Sequence, residues 1–345
     1  MNEMNLIKNR PDCGGGGIQK NSLNLLRLLA AIQVFYGHAV VHMNLSGTSV
    51  AGIIMSIFQG VPIFFILSGF LIWNSIEKTP NLKTYVRKRI FRIYPELWCA
   101  ITISIISIFF LYDRWNVKDL MLFIVTQSTI MQFWTPDSLR GFGCGTPNGS
   151  LWTITVIVQF YIVAWVIKKF LSHENKKRWF VTIAISLAIG IGSPQLEKLL
   201  SETIYKLYEA TFIPYFWIFM TGALLCNYFK EIMPILKKFW WVGLALLLAV
   251  IFTGFDIDAG YGLLQTILKG VTWVGFAYAF PGLNIKDDIS YGIYIYHMVI
   301  VNILIELGLV GSWIYFFIAL IVTIGIATVS YLIVGNVGSK KKGQL

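Results

Sequence analysis

Charged residues are scarce in this sequence. Only 13% of its 345 residues are charged, and the 17 acidic residues are outnumbered by 28 Lys and Arg. A soluble domain usually carries about 25% charged residues, so the composition excludes an ordinary soluble protein. The four cysteines lack the spacing of a metal-binding motif, and we find neither a Walker loop nor a dinucleotide-binding glycine fingerprint. No nucleotide-binding or cysteine-metal class is therefore indicated.

Long apolar runs occupy almost the whole chain instead. Hydrophobic residues make up 56% of the sequence, and the mean hydropathy is +0.68. A helix of about 20 apolar residues crosses a hydrocarbon core of about 30 Å. The sequence therefore predicts an all-α integral membrane protein, a polytopic bundle of about ten transmembrane helices. The predicted crossings are 22–43, 51–74, 93–112, 150–167, 179–193, 210–229, 239–254, 261–281, 290–309 and 312–335.

The distribution of basic residues gives this bundle an orientation. With both termini in the cytoplasm, the basic clusters at 78–92 and 168–178 face the cytoplasm, as the positive-inside rule expects. Counting the short apolar run 120–134 as a crossing would move the second cluster outside. We therefore expect that run to be one extra re-entrant or interfacial segment. Topology explains the net charge of +11, and no nucleic-acid partner is needed.

Three regions follow from this topology. We expect a flexible cytoplasmic N-terminal segment at 1–21, a membrane domain at 22–335 and a basic cytoplasmic tail at 336–345. The apolar run that follows the N-terminal segment lacks a small-residue cleavage site, which favours an uncleaved anchor over a signal peptide.

Arg27 and His38 lie within the first apolar run. An ionisable side chain in a membrane span is costly and marks a functional site by default. In a helix, eleven residues place the two side chains on nearly the same face, about 16 Å apart along the axis. Simpler interpretations remain open: Arg27 could anchor the span at the interface, and His38 could form an interhelical hydrogen bond. A metal pair of His38 with His42 is not expected, because no third ligand lies near in sequence.

Two further segments combine packing and charge. The segment 60–72 contains Pro62 and the pair Ser68-Gly69, which suits close helix approach inside a bundle. The segment 85–98 is rich in arginine, and guanidinium groups bind phosphate oxygens well. That segment could therefore bind a phosphorylated cofactor at the membrane face, or it could simply contact anionic lipid.

Two polar and aromatic segments stand at the starts of later runs. The segment 148–154 contains Trp152, and the segment 288–297 contains Tyr291 and His297. Aromatic belts at the membrane interface explain much of both. His297 and Lys269 are also ionisable groups within apolar runs, so each needs a partner.

Taken in order, these segments resemble the membrane acyltransferase-3 family over about residues 22–335. Arg27 and His38 resemble its Arg-x10-His signature, and 64–70 resembles its Phe-Phe-x-x-Ser-Gly-Phe segment. The stretch 89–95 is similar to its Arg-x-x-Arg-Ile-x-Pro element, and 290–297 to its Ser-Tyr-x-x-Tyr-x-x-His element. Each motif is weak alone, but their ordered combination is specific.

The resemblance implies an enzyme, an acyl-coenzyme A-dependent O-acyltransferase. Acetyl-coenzyme A is the expected donor, and the acceptor is a hydroxyl of a cell-surface polysaccharide or lipid-linked glycan. His38 is the expected general base. Arg27 is the second expected catalytic residue. The other expected site residues are Arg87, Arg89, Arg92 and Ser68 for the donor, and Trp152, Tyr291 and His297 for the substrate pocket. No metal is expected.

One position departs from the family pattern. Members commonly carry a glutamate five positions beyond the tryptophan of the Gly-Ser-Leu-Trp-Thr element, and this chain has Ile157 there. If that carboxylate orients the histidine in relatives, another group must do so here. Glu96, Asp137 or a backbone carbonyl are conceivable, and the sequence does not choose among them.

Two other functions stay open at this point. One is a transporter or flippase of a lipid-linked oligosaccharide or anion, and the other is a non-catalytic relative that lacks the family glutamate. The resemblance implies a bacterial inner-membrane location.

Overall fold

The structure, a computed structural model, describes residues 20–335, and these residues form helices and turns without a β-strand. The α-helices, numbered in chain order, are α1 Leu23–His42, α2 Ser49–Ile57, α3 Gly60–Lys78, α4 Leu82–Leu111, α5 Val117–Gln127, α6 Trp152–Ile167, α7 Lys176–Leu196, α8 Glu202–Glu209, α9 Phe216–Asn227, α10 Phe229–Thr253, α11 Leu263–Ala279, α12 Ser290–Glu306 and α13 Trp313–Ser330. The prediction of an all-helical, polytopic membrane protein is confirmed. The expected N-terminal segment and basic tail fall almost entirely outside the described residues.

A helix lies in each of the ten predicted crossings, but the number ten is not confirmed. Within 20–335, seven helices are long and apolar enough to cross a membrane, or eight if α8 and the helix after it, bent by 53°, count as one span. The helices α11 and α12 have 17 residues each, which gives about 26 Å each and falls short of the hydrocarbon core. The run 120–134 overlaps the 11-residue α5, Val117–Gln127, which is too short for a crossing.

The chain divides into two compact units. The first comprises residues 20–26, 56–85 and 156–286, and the second comprises 27–55, 86–155 and 287–335. In the first unit, α3 and α9 approach until their backbones touch. A Cβ at Gly69 would collide with the carbonyl of Phe219, and one at Gly222 with the carbonyl of Ile66. Small residues allow this close approach between helices in a membrane.

The first unit also buries the ammonium of Lys269 completely. Its Nζ donates to Oε1 of Gln59 at 2.8 Å and to Oε1 of Gln265 at 3.3 Å. Gln59 stands directly before α3, and Gln265 lies one turn earlier on α11. Lys269 therefore joins these two helices through amide oxygens.

The second unit is built around α12, nearly all of which is buried. Its core combines residues of α1, α12 and α13 with Met43, which directly follows α1; the helical members are Phe35, Ala39, Val301, Leu304, Phe316 and Ala319. Asn302 of α12 holds the loop before α6: its Oδ1 accepts from the Cys144 N–H at 3.0 Å, and its Nδ2 donates to the carbonyl of Thr146 at 2.8 Å. Because Asn302 is fully buried, this loop is fixed to the centre of the unit.

The helix α4 brings charge to this unit. Its 30 residues extend about 45 Å, which is longer than a hydrocarbon core is thick. Its N-terminal part is basic, and Pro95 lies inside it, where it removes one helical hydrogen bond. The arginines of its first half therefore stand on a helix that continues into the apolar part of the unit.

Candidate active site

Two of the predicted site arginines meet at one carboxylate in the second unit. Nη1 of Arg27 lies 2.6 Å from Oδ2 of Asp288, and Nη2 of Arg92 lies 3.0 Å from the same oxygen. Arg27 belongs to the first turns of α1, Arg92 to α4, and Asp288 to the loop before α12. Three segments that are distant in sequence therefore converge on one ionic contact.

The carboxylate of Asp288 is fixed from its own side as well. The Ser290 backbone N–H donates to its Oδ1 at 3.3 Å, and the Ser290 hydroxyl donates to the same oxygen. Burial alone would raise the pKa of Asp288, but Arg27, Arg92 and the bonds from Ser290 outweigh it and lower the pKa to about 2. Asp288 is thus a permanent anion at neutral pH.

The two guanidiniums and the carboxylate together carry one net positive charge. Tyr291 flanks them, with its ring centre 5.8 Å from the Arg92 guanidinium carbon and its hydroxyl donating to the Ile93 carbonyl at 2.9 Å. Glu96 is buried about one turn along α4 from Arg92. A small positive cluster held this firmly suits the binding of an anion.

A second cluster brings together the two predicted site histidines. Nδ1 of His38, on α1, lies 3.3 Å from Nε2 of His297, on α12. The other ring nitrogen of His297 lies 2.7 Å from the carbonyl oxygen of Tyr294. His38 is partly exposed, whereas His297 is completely buried. His38 is therefore the histidine of this pair that a substrate can reach.

Aromatic rings limit the movement of the pair. The ring of Phe35 lies edge-on to His297 with centroids 6.4 Å apart, and the Tyr294 ring is 5.9 Å away. His42, one turn further along α1, has its ring 5.8 Å from that of His38.

Within residues 20–335, no group of three or more His, Cys, Asp or Glu side chains could hold a metal ion.

The remaining donor-side candidates lie on α3 and α4. Arg87 is exposed on α4, with its guanidinium carbon 5.8 Å from the centre of the Phe91 ring, and Arg89 is half-buried on the same helix. Ser68 is half-buried on α3 and belongs to the first unit. Their expected roles remain predictions.

The segment around Trp152 docks on α12. Nδ2 of Asn148 donates to the Ile295 carbonyl at 2.8 Å, and the Tyr294 hydroxyl donates to the Ser150 carbonyl at 2.8 Å. Trp152 itself is half-buried at the start of α6. The motif segments 148–154 and 288–297 are therefore neighbours in the second unit.

The three conceivable replacements for the family glutamate have different surroundings in the structure. Asp137 is 88% exposed and pairs with Arg140 at 3.3 Å, so it is a surface residue. Glu96 interacts electrostatically with Arg92 and Asp288. A backbone carbonyl, that of Tyr294, is the group that bonds the histidine pair. Ile157 belongs to the first unit.

Asp288 is the site residue that sequence reasoning missed. A signal for it was present: acidic residues are rare in this chain, and Arg27 within an apolar run needs a counter-ion. Asp288 directly precedes a run that contains another ionisable residue, which makes it a natural partner. The sequence spacing of 261 residues between the two gives no indication of their contact.

An all-helical membrane fold with an arginine cluster and a histidine pair within its helices defines a membrane-embedded protein with a polar site. The chain belongs to the acyltransferase-3 family, whose model, described as an acyltransferase domain, matches residues 20–332. The predicted family is therefore confirmed.

Three curated relatives illustrate the family. Nodulation protein 10 of Rhizobium leguminosarum bv. viciae is 29% identical over 94% of this chain and 95% of its own. The O-acetyl transferase of Shigella phage Sf6 is 27% identical over 84% of this chain and 86% of its own. Peptidoglycan O-acetyltransferase OatA of Listeria monocytogenes serovar 1/2a is 28% identical over 49% of this chain and 27% of its own. No solved structure matches the chain significantly.

Proposed function

We propose that this protein is a membrane O-acyltransferase that uses acyl-coenzyme A. It moves an acetyl or other short acyl group to a hydroxyl of a cell-surface polysaccharide or lipid-linked glycan, with His38 as general base. The observation that carries the proposal is the histidine pair, in which an accessible His38 is held by a buried His297. Membership of an acyltransferase family supports the reaction type.

The donor is the acyl-coenzyme A thioester, whose nucleotide end carries phosphates. Arg87 and Arg89 stand on the basic part of α4, and the cluster of Arg27, Arg92 and Asp288 carries net positive charge. These residues fit an anionic donor, because guanidinium groups bind phosphate oxygens in a fixed geometry. Arg27 and His38 stand about 16 Å apart along α1. The phosphate end of the long donor molecule therefore lies near Arg27, and its thioester end lies near His38.

His38 acts on the acceptor. A sugar hydroxyl is a poor nucleophile at neutral pH, and removal of its proton by an imidazole assists its attack. The hydroxyl oxygen forms a bond to the carbonyl carbon of the thioester as its proton passes to His38. The carbon–sulfur bond then breaks, and the coenzyme A thiolate leaves and takes up a proton. The products are an O-acyl ester and coenzyme A.

The glycan acceptor is supported by the names of relatives. Two of them are named as O-acetyltransferases, and one of these is named for peptidoglycan. We place both termini in the cytoplasm, because this orientation puts most basic residues inside. The bacterial inner membrane is the location that the family resemblance implies. Trp152 and Tyr291 are proposed for the substrate pocket, and Ser68 is proposed for the donor.

The experiment is transfer of label from radioactive acetyl-coenzyme A to peptidoglycan fragments and surface polysaccharides by the purified protein. The wild type and His173→Ala should form alkali-labile labelled product, whereas His38→Ala should lose about 10²- to 10⁴-fold in rate. His173 is a suitable control, because its side chain is 43% exposed and pairs with Glu231 in the first unit.

The two rival functions, a transporter or flippase and a non-catalytic relative, predict different results for the same purified protein. A transporter or flippase would move a lipid-linked oligosaccharide across proteoliposomes without covalent change. A non-catalytic relative would do neither. Wild-type rates retained by a folded His38→Ala variant would contradict the assignment of the base.

A further inference from the structure

The hydrogen bonds around His297 determine which of its nitrogens carries a proton. Its Nδ1 lies 2.7 Å from the Tyr294 carbonyl oxygen and 3.3 Å from that of Ile293. A carbonyl oxygen can only accept a hydrogen bond, so Nδ1 of His297 is the protonated nitrogen. The ring is completely buried, and a buried imidazolium without a carboxylate partner is costly. His297 is therefore neutral, and its Nε2 is an acceptor.

The proton position of His38 follows from that of His297. Nε2 of His297 faces Nδ1 of His38 at 3.3 Å. Because Nε2 accepts, Nδ1 of His38 must donate and therefore carries the proton. In a neutral imidazole the other nitrogen then holds the lone pair. The accessible ring thus presents Nε2 as its basic nitrogen.

We infer that His297 is a positioning residue that fixes the tautomer and orientation of His38, through a chain from the Tyr294 carbonyl to His297 to His38. This inference rests on the proposed function of His38. It assigns to a neutral histidine the orienting task that a carboxylate performs in hydrolase triads.

The arrangement has a direct chemical consequence. When His38 takes the proton of the acceptor hydroxyl on Nε2, its Nδ1–H continues to donate to His297, and this bond strengthens because the donor is now charged. His297 itself neither contacts the acceptor nor changes its protonation state. The proton acquired by His38 is available for the departing thiolate of the donor.

The kinetic test compares two substitutions of His297. In His297→Gln the side-chain oxygen can accept from Nδ1 of His38, whereas His297→Leu has similar bulk and no acceptor. We expect the Leu variant to lose about 10²-fold in kcat with little change in KM for acetyl-coenzyme A, because the tautomer is no longer fixed. The Gln variant should recover at least a tenth of the wild-type rate. Tyr296→Phe controls for disturbance of α12, since the Tyr296 hydroxyl bonds Ser330 at 2.8 Å.

A spectroscopic test reads the tautomer without activity. Nitrogen-15 NMR of histidine-labelled protein, with the His38 signals assigned by their loss in His38→Ala, should show the proton on Nδ1 of His38 in the wild type and in His297→Gln. The Leu variant should show a mixture of tautomers. If the wild type shows the proton on Nε2 of His38, or if folded His297→Leu keeps its kcat within twofold, the inference is wrong. If the wild type transfers no acyl group but has the expected tautomer, the proposed function fails and the positioning stands.

Discussion

The carboxylate of Asp288 lies 2.6 Å from the guanidinium of Arg27, although 261 residues separate them. Further towards the C-terminal end of α1, Nδ1 of His38 lies 3.3 Å from Nε2 of His297. The same two segments of the chain therefore meet a second time. The step from Arg27 to His38 covers about 16 Å of α1, and His297 lies about 10 Å along α12 from its first residue, Ser290. Both contacts follow the same order, so α1 and α12 run in the same direction. The predicted order, in which they are the first and ninth crossings, also makes them parallel.

The ionic contact of Asp288 should contribute measurably to stability. In Asp288→Asn, Arg27 and Arg92 lose the carboxylate that they share. Because the side chains are between 13% and 28% exposed, we expect a loss of about 2 kcal/mol, between the values for surface and buried pairs. Unfolding of the purified protein in mixed detergent measures it. Asp287→Asn, an exposed neighbour with the same charge change, should have a much smaller effect; equal effects would show that the ionic contact is not responsible.

The same contact predicts an acid dependence. Folding lowers the pKa of Asp288 from 3.8 to about 2, so the ionised carboxylate stabilises the folded state above about pH 4. As the pH falls towards 2, the carboxylate takes up a proton in the folded state as well, and about 2 kcal/mol of stability is lost. The stability difference between the wild type and Asp288→Asn should therefore shrink over this range. A difference that stays constant down to pH 2 would contradict this account.

The approach of α3 and α9 predicts a strong effect of a single methyl group. Gly69→Ala and Gly222→Ala each place a Cβ against a backbone carbonyl that cannot move away cheaply. We expect each to destabilise the protein by about 1–3 kcal/mol. Gly37→Ala is the matched control, since its Cβ position in α1 meets no atom within 4 Å beyond its chain neighbours and the local helix backbone. It should stabilise slightly, because alanine favours a helix. Thermal unfolding followed by tryptophan fluorescence compares them, and a harmless Gly69→Ala would show that the helices do not touch.

Arg89 should affect the donor rather than the chemical step. Arg89→Ala removes one guanidinium from the proposed phosphate-binding part of α4. We expect the apparent KM for acetyl-coenzyme A to rise about tenfold, as for one lost charged hydrogen bond, with kcat little changed. Lys83→Ala removes an exposed cation from the same helix and serves as control. A lowered kcat at unchanged KM would assign Arg89 to the chemistry instead.

Much of the helix pattern was predictable from the sequence, because membrane helices are long apolar runs that local composition reveals. The break at Gln59 within the predicted crossing 51–74, and the length of α4 beyond the membrane core, depend on packing and were not predicted. The sequence also identified Arg27 and His38 as costly groups on one helix face. It did not reveal that they have different partners, since the partners Asp288 and His297 are brought to α1 by tertiary structure alone.

The central claim is that His38 is the base of an acyl transfer to a surface glycan. The most direct measurement is ester-linked acetate released by mild alkali from the surface glycans of cells that produce the wild type, His38→Ala or His173→Ala at equal abundance in the membrane. The account predicts acetate above that of cells lacking the protein for the wild type and His173→Ala, and none for His38→Ala. Equal acetate from His38→Ala and the wild type would contradict it.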